Sequence, residues 1–153
     1  MQNPLKFMCV IAAVLLSTLS VAQDARPIPT RFGPLAYDSE RALMFRGKRV
    51  SPRLAYDPYA IASPIAKFNL QDSDAILFQQ SKGNSCPGNF VYVTVSVQGA
   101  KVTSNFGTCY DENIEPIQEG QSISFSMPNA GGKGNTTFVY RGGIVSKNGQ
   151  AVR

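Results

Sequence analysis

A two-residue alternation of apolar and polar side chains, which begins near residue 65, constrains the fold of this chain more than any other feature. Successive side chains of a β-strand point to opposite faces of the sheet, so an alternating run predicts a strand with one buried face and one wetter face. The clearest runs span residues 66–71, 90–97 and 122–127, and shorter candidates span residues 75–80, 101–106, 113–118 and 136–141. No amphipathic helical stretch of useful length follows residue 22.

Turn-forming residues separate these runs, as Gln98-Gly99, Glu119-Gly120 and Gly142-Gly143 do. Linkers this short favour antiparallel neighbours. Residues 41–153 are therefore predicted to form a single all-β domain, in which an antiparallel meander folds into a small sandwich or barrel. The pattern alone does not choose between the sandwich and the barrel.

The N-terminus has the pattern of a secretory signal peptide. Lys6 supplies a positive charge, residues 7–16 are uninterruptedly apolar, and Ser20 and Ala22 put small side chains at the two positions that a signal peptidase reads. We expect residues 1–22 to be removed on export, which leaves no transmembrane segment in the mature chain. A retained anchor is the alternative, although the apolar run is shorter than the roughly 20 residues that span a bilayer.

Proline dominates the next part of the chain. Residues 23–64 contain six prolines, which lack a backbone N–H donor and fix φ, so long helices and central strands are not expected there. Residues 23–40 are predicted to form an extended or mobile arm. A small hairpin is predicted beyond the arm, because the apolar segments 42–45 and 49–50 flank Arg46-Gly47-Lys48.

The cysteines predict one disulfide. Cys9 lies in the signal, which leaves Cys86 and Cys109, and an even number of cysteines in an exported chain favours a bond between them. Two free buried thiols are the alternative. We expect a structural rather than a redox role for the bond, because no Cys-x-x-Cys spacing is present.

Residues 77–111, about a quarter of the chain, contain the motifs Ser85-Cys86-Pro87, Phe90-Val91-Tyr92-Val93 and Phe106-Gly107-Thr108-Cys109. With these motifs the stretch resembles small exported proteins of Gram-negative bacteria that have no assigned function. The resemblance implies a periplasmic location and no particular activity. The extracellular medium is the alternative location, because a signal peptide sends a chain only across the first membrane.

The sequence contains no histidine, which removes the commonest general base and the usual ligand of transition metals. We therefore expect no catalytic site, no bound metal and no cofactor. An acidic cluster of Asp111, Glu112 and Glu115 leaves two alternatives open. One is a calcium site, and the other is a carboxylate-dependent hydrolase that uses Asp111 or Glu115.

Positive charge is concentrated near the start of the mature chain. Residues 23–56 carry seven basic and three acidic side chains, whereas residues 57–153 carry seven of each. Arginine suits phosphate and carboxylate groups, and tyrosine is enriched at interfaces. The candidate partner-binding residues are the basic side chains of this segment and two neighbouring tyrosines: Arg41, Arg46, Lys48, Arg49, Arg53, Tyr56 and Tyr59.

The expected function is that of a non-enzymatic exported domain that binds a protein or an anionic envelope component. A narrower version is an inhibitor or immunity-type protein directed at a wall-degrading enzyme. The alternatives are the hydrolase and a structural envelope protein with no discrete ligand. For the basic segment, the alternative to a binding role is that it only makes the chain more soluble. Nucleic acid is not an expected partner, because an exported chain rarely meets it and no aromatic stacking motif accompanies the basic residues.

Overall fold

The computed structural model describes residues 26–52, 62–80, 86, 88–110 and 114–153, and these residues form the all-β structure that the alternation predicts. The predicted signal peptide lies outside them. Within the described ranges no helix is long and apolar enough to cross a membrane. The strands are β1 (Leu35–Tyr37), β2 (Leu43–Phe45), β3 (Lys48–Arg49), β4 (Ala62–Asn69), β5 (Asp74–Gln80), β6 (Asn89–Ser96), β7 (Gly99–Val102), β8 (Phe106–Gly107), β9 (Ile117–Glu119), β10 (Ser122–Pro128), β11 (Asn135–Arg141), β12 (Ile144–Lys147) and β13 (Gln150–Ala151).

The described strands form three antiparallel sheets. The small sheet has the order β1-β2-β3. The central sheet has the order β4-β5-β6-β7, with β8 also paired to β6, and the outer sheet has the order β13-β12-β11-β10-β9. Strands that are adjacent along the chain are neighbours in each sheet, which confirms the predicted antiparallel meander. None of these three sheets closes on itself over the described residues, so the architecture is a sandwich rather than a barrel.

The central sheet is the middle layer of the sandwich, and side chains on both of its faces are buried. One face packs against the outer sheet, in a cluster that includes Leu77, Phe90, Tyr92, Phe125 and Phe138. The opposite face packs against the small sheet, in a cluster that includes Leu35, Leu43, Ile76, Phe78 and Val91. The fold therefore has three layers and two separate hydrophobic cores.

The alternation predicts burial correctly for strand β10 and wrongly for strand β6. In β10, Ile123, Phe125 and Met127 are buried and the intervening serines are not. In β6, residues 89–93 are buried without interruption, because the outer sheet covers Phe90 and Tyr92 on the face that the alternation marks as wetter, while the small sheet covers the valines. Val97 is 68% exposed, because the chain turns there between β6 and β7.

The strand predicted over residues 101–106 is interrupted by a β-bulge. β7 ends at Val102, and pairing with β6 resumes at Phe106 with one extra residue on this side of the pair. Thr103 bridges the interruption, since its backbone N–H donates to Tyr92 O and its Oγ1 accepts the Tyr92 N–H, both at 3.0 Å. The strand predicted over residues 113–118 is shorter than expected, because β9 begins at Ile117.

Cys86 and Cys109 form the predicted disulfide. The bond joins the segment before β6 to the segment after β8, the strand that pairs with the first residues of β6. The backbone is closely packed beside it, since a Cβ on Gly88 would lie 2.0 Å from Tyr110 O. Disulfides persist in oxidising compartments, so this bond is compatible with an exported protein.

The described part of the predicted arm, residues 26–40, packs on the rest of the domain. Two backbone hydrogen bonds join Ile28 to Leu35, and Leu35 begins β1 and is completely buried. The predicted hairpin follows as β2 and β3. Its two-residue turn is Arg46-Gly47, in which both residues have positive φ (49° and 72°), as a type I′ turn requires.

Arg31 fastens this N-terminal segment to the central sheet. Its backbone N–H and its Nε donate to the two carboxylate oxygens of Asp74 at 2.7 and 2.6 Å. Its Nη2 donates to the carbonyl oxygens of Leu70 and Ser73, in the turn between β4 and β5. The Asp74 side chain is completely buried. A buried carboxylate needs such a partner, because an unpaired charge is costly to remove from water.

The variant Arg31→Ala is expected to lower the free energy of unfolding by about 3 kcal/mol, because the buried Asp74 carboxylate loses its guanidinium partner. Arg31 is itself 43% exposed, so the expected loss lies at the lower end of the range for a buried pair. Urea-induced unfolding measures the change. Arg26→Ala is the matched control, because Arg26 is exposed and its loss should change the free energy by less than about 0.5 kcal/mol. Equal stability of the two variants would contradict the role of Arg31.

Candidate functional site

Several turns of the sandwich gather at one end of the molecule. The β6–β7 turn lies beside the β2–β3 turn, since Arg46 Nη1 donates to Val97 O at 3.1 Å. The antiparallel pairing of β5 with β6 brings the β4–β5 turn to the same end. The β11–β12 turn joins them through a hydrogen bond between Thr94 and Tyr140. Two hollows open at this end, and both are lined by the β6–β7 hairpin.

The larger hollow, here called the turn-end cleft, has a volume of about 620 Å³ and lies between the central sheet and the outer sheet. Residues of four turns contribute to its walls, including those that join β9 to β10 and β11 to β12. Apart from Asp72, the polar and basic residues that line it are Ser73, Thr94, Ser96, Gln98, Lys101, Thr103, Gln121, Tyr140 and Arg141, and Leu70, Ala100 and Val102 add apolar surface. The cleft is therefore a hollow of mixed lining between two layers whose cores are apolar.

The floor of the turn-end cleft is built on the hydrogen bond between Thr94 Oγ1 and Tyr140 Oη, which are 2.7 Å apart. Tyr140 is 1% exposed, and its ring centroid lies 4.5 Å from that of Tyr92. The backbone of Gly143 also hydrogen-bonds the Tyr140 hydroxyl. The two sheets are thus joined at the floor by a polar contact that sits on an aromatic core.

Burial raises the pKa of Tyr140, and its hydrogen bonds with Thr94 and with the Gly143 backbone lower it in part. Burial, and then the neighbouring Tyr140, also raise the pKa of Tyr92. Among the described residues the Tyr92 hydroxyl has no hydrogen-bond partner. Both phenols are therefore neutral at physiological pH, and they give the cleft an uncharged floor.

Lys101 and Arg141 are the cations of the turn-end cleft. Lys101 pairs with Thr94 across β6 and β7, which places both residues on the sheet face that is turned toward the outer sheet. Within the described parts of the chain, neither cation forms an ion pair or a side-chain hydrogen bond. Asp72 is the one acidic residue among those that line the cleft. The lining therefore carries a positive excess that is available to an anion.

The smaller hollow, here called the hairpin groove, has a volume of about 330 Å³ and lies between the small sheet and the central sheet. Arg46, Lys48 and Arg49 line one side of it. Gln98-Gly99-Ala100 line the other side, and the same three residues also line the turn-end cleft. The β6–β7 hairpin is thus the shared wall of the two hollows.

The predicted basic residues that reach the hairpin groove differ in how they are paired. Arg49 donates to Asp38 at 3.0 Å and to Glu40 at 2.7 Å, so carboxylates offset its charge. Arg46 donates to the carbonyl oxygens of Val97 and Phe32 instead, which fix its guanidinium without neutralising it. The pairing of Arg49 is also reflected in Asp38, whose pKa is lowered by a hydrogen bond from the Ala42 backbone and by the charge of Arg49.

The structure brings together only part of the predicted partner-binding set. Lys48 is exposed on the groove and has no side-chain partner in the described part of the chain. Arg41 lies in the connection between β1 and β2 and does not line either hollow. The other predicted binding residues, Arg53, Tyr56 and Tyr59, lie outside the described residues.

The carboxylates of the hydrolase and calcium alternatives are not among the residues that line the cleft. Glu115 is exposed, and Asp111 and Glu112 lie outside the described residues. In the parts of the chain that are described, no group of three or more histidine, cysteine, aspartate or glutamate residues could hold a metal ion. Both alternatives stay predictions.

The sequence reasoning did not identify Lys101, Arg141 and Tyr140 as site residues. Lys101 and Arg141 lie in residues 57–153, whose basic and acidic residues balance, so the net charge of that part conceals them. The turn between β6 and β7 is Val97-Gln98, one residue before the predicted Gln98-Gly99, and antiparallel pairing around it sets Lys101 opposite Thr94. Arg141 and Tyr140 reach the cleft only through the packing of the two sheets.

The chain matches no family model, no curated protein and no solved structure. Functional inference therefore rests on the turn-end cleft and the hairpin groove. The resemblance of residues 77–111 to small exported proteins of Gram-negative bacteria stays a prediction.

Two of the tyrosines, Tyr92 and Tyr140, are expected to remain protonated above about pH 10, where an unperturbed tyrosine ionises. Because folding raises their pKa values, the stability that their neutral form contributes is fully present below about pH 10 and is lost as the pH rises toward the folded-state values. The phenolate absorbance of the folded and the denatured chain, followed against pH, measures this difference.

Tyr140→Phe is the matched variant, because it should remove one of the late-ionising groups and bring the pKa of Tyr92 down in part, since the neighbouring Tyr140 contributes to its rise. If every tyrosine of the folded chain ionised together near pH 10, the buried and neutral floor of the cleft would be contradicted.

Proposed function

We propose that this chain is an exported, non-enzymatic domain that binds an anionic component of the cell envelope in the turn-end cleft. The observation that carries the proposal is the pair of cations, Lys101 and Arg141, that line a cleft of about 620 Å³ without an ion-pair partner in the described residues. Asp72 is the one acidic residue in the lining, so positive charge is in excess there, and a concave site with an excess of one sign concentrates ligands of the opposite sign.

The electrostatics of the surrounding end of the molecule support this proposal. No carboxylate offsets the charge of Arg46 in the described residues, because its partners there are carbonyl oxygens, and Lys48 adds a second cation nearby that has no ion pair in the described residues. Arginine can bind two oxygens of one phosphate, sulfate or carboxylate group, and lysine adds a compact point charge. An anion that enters this end therefore meets a positive field from both sides of the β6–β7 hairpin.

The lining of the turn-end cleft also indicates which uncharged groups the ligand carries beside its charges. Thr94, Ser96, Gln98 and Gln121 offer hydroxyl and amide groups, and the aromatic side chain of the cleft, Tyr140, is buried in the floor. A protein partner would favour exposed aromatic and apolar anchors. The cleft suits a hydroxyl-rich ligand with anionic substituents better, and such chemistry belongs to the anionic glycans of an envelope.

The proposed compartment is the periplasm. The predicted signal peptide over residues 1–22 sends the chain across the first membrane, and the Cys86–Cys109 disulfide suits an oxidising compartment. An anionic envelope component is accessible there, which makes the proposed ligand and the proposed location consistent.

The secreted protein is expected to bind dextran sulfate and not neutral dextran, with an affinity that falls as the salt concentration rises. The double variant Lys101→Gln/Arg141→Gln should weaken this binding roughly tenfold or more, because each cation near an anionic ligand contributes about 1 kcal/mol. Isothermal titration calorimetry at low and at moderate ionic strength measures both effects.

The matched control is Lys133→Gln/Lys147→Gln, which removes the same charge from the outer sheet. Lys133 lies in the turn at the end opposite the cleft, and Lys147 pairs with Phe138 in the middle of β11. The control should leave the affinity within about twofold of the original, since both positions are exposed and neither lines the cleft. Equal losses in the two double variants would show that net charge alone governs binding, and the proposed site would be rejected.

A further inference from the structure

We propose that the ligand is an extended anionic polysaccharide chain, which crosses the β6–β7 hairpin and occupies the turn-end cleft and the hairpin groove together. This inference rests on the proposed function, because it assumes that the cleft binds an anionic ligand. It adds the form of the ligand, a chain with repeated charges, and assigns a binding role to Lys48 in the second hollow.

The turn-end cleft and the hairpin groove adjoin each other. Gln98-Gly99-Ala100 line both hollows, so the cleft and the groove are separated only by the thickness of one hairpin. The ridge between them is low at Gly99, where a Cβ would have no other atom within 4 Å. A chain that leaves the cleft can therefore pass over the backbone at Gly99 into the groove without meeting a side chain of that residue.

Basic side chains line both hollows. The cleft carries Lys101 and Arg141, and the groove carries Lys48 together with the carbonyl-bound Arg46. Cations that are not neutralised by carboxylates therefore lie on both sides of the ridge. A ligand with a single charge uses one side only, whereas a ligand with spaced charges uses both.

The two lysines lie on opposite sides of the β6–β7 hairpin. Ser51, which follows the strand that contains Lys48, forms a bridge with Lys101 of β7. Lys48 lies three residues before Ser51, which corresponds to roughly 10 Å along an extended chain. One phosphate or sulfate group would have to reach around the hairpin to contact both lysines. Several linked sugars that carry anionic groups span this separation more readily.

The shape of the site favours one flexible chain over a flat array of lipid headgroups. Two hollows on either side of a ridge, which itself projects at Val97 with 68% of its surface exposed, present no planar surface. The hydroxyl and amide groups of Thr94, Ser96, Gln98 and Gln121 suit the hydroxyls of a sugar, which an acidic peptide lacks although it shares the charge. We therefore assign the site to a glycan and use the peptide as a comparison.

The test measures the affinity of the secreted protein for inorganic sulfate and for sulfated gluco-oligosaccharides of increasing length. The original protein is compared with Lys48→Gln in the groove, Lys101→Gln in the cleft and the control Lys133→Gln. We expect affinity to rise with length until both hollows are filled, because the second contact becomes intramolecular.

For the long oligosaccharides, Lys48→Gln and Lys101→Gln should each weaken binding about fivefold, and Lys133→Gln should not. For the shortest oligosaccharide, Lys101→Gln should weaken binding and Lys48→Gln should have no effect. Loss of the length-dependent gain in Lys48→Gln is the decisive expected result. All three lysines are exposed, so each variant should fold, and unfolding in urea verifies it.

The remaining outcomes separate this inference from the proposed function. If long and short probes bind equally and Lys48→Gln behaves as the original, the chain-like ligand is rejected while anion binding in the cleft stands. If no sulfated probe binds the original protein, the proposed function itself is rejected. If poly-glutamate of equal charge binds more tightly and depends on the same two lysines, the ligand is an acidic peptide and the assignment to a glycan is overturned.

Discussion

Burial of both faces of the central sheet is the constraint on which the rest of the structure depends. Strands β5 and β6 carry apolar side chains on each face, so each face needs a covering layer. The outer sheet covers one face with five strands, and the small sheet covers the other with three short strands. Isolated strands as short as β1–β3 are not stable in water. The small sheet is therefore stabilised by its packing on the central sheet. Arg31 fastens the segment that leads into it.

The same layering explains where ligands can enter. The two interfaces between layers are apolar along most of their length, and both open into hollows lined in part by polar and basic residues at the end where the turns gather. The turn-end cleft is the open end of one interface, and the hairpin groove is the open end of the other. Because the β6–β7 hairpin belongs to the middle layer, it lies between the two hollows. The architecture thus places one hollow on each side of a single hairpin.

How much of this can be predicted from the sequence depends on how local each feature is. The strand β10, the Arg46-Gly47 turn and the Cys86–Cys109 bond follow from neighbouring residues or from a short count, and the structure confirms all three. The double burial of β6 could not be predicted, because an alternation of valine with phenylalanine and tyrosine is apolar on both faces and does not show which layers cover it. The candidate site was predicted only where its residues are close in the sequence. Lys101 and Arg141 line the cleft from two different sheets, an arrangement that depends on tertiary packing.

The number of basic and acidic residues along the sequence locates the basic cluster. It does not show which of the basic side chains are paired with carboxylates. Arg46 and Arg49 lie three residues apart, yet Arg49 is offset by Asp38 and Glu40 while Arg46 is held by carbonyl oxygens. Carbonyl partners fix the position of a guanidinium and leave its charge to act on a ligand, whereas carboxylate partners offset that charge.

The carbonyl partners of Arg46 belong to Val97, at the tip of the β6–β7 hairpin, and to Phe32, in the segment that Arg31 fastens. One side chain therefore ties together the hairpin between the two hollows, the small sheet and the N-terminal segment. Such contacts lower the conformational freedom that a ligand binding over this hairpin would otherwise have to remove. The hydrogen bonds that leave the cation available to a ligand thus also join the hairpin to its neighbours.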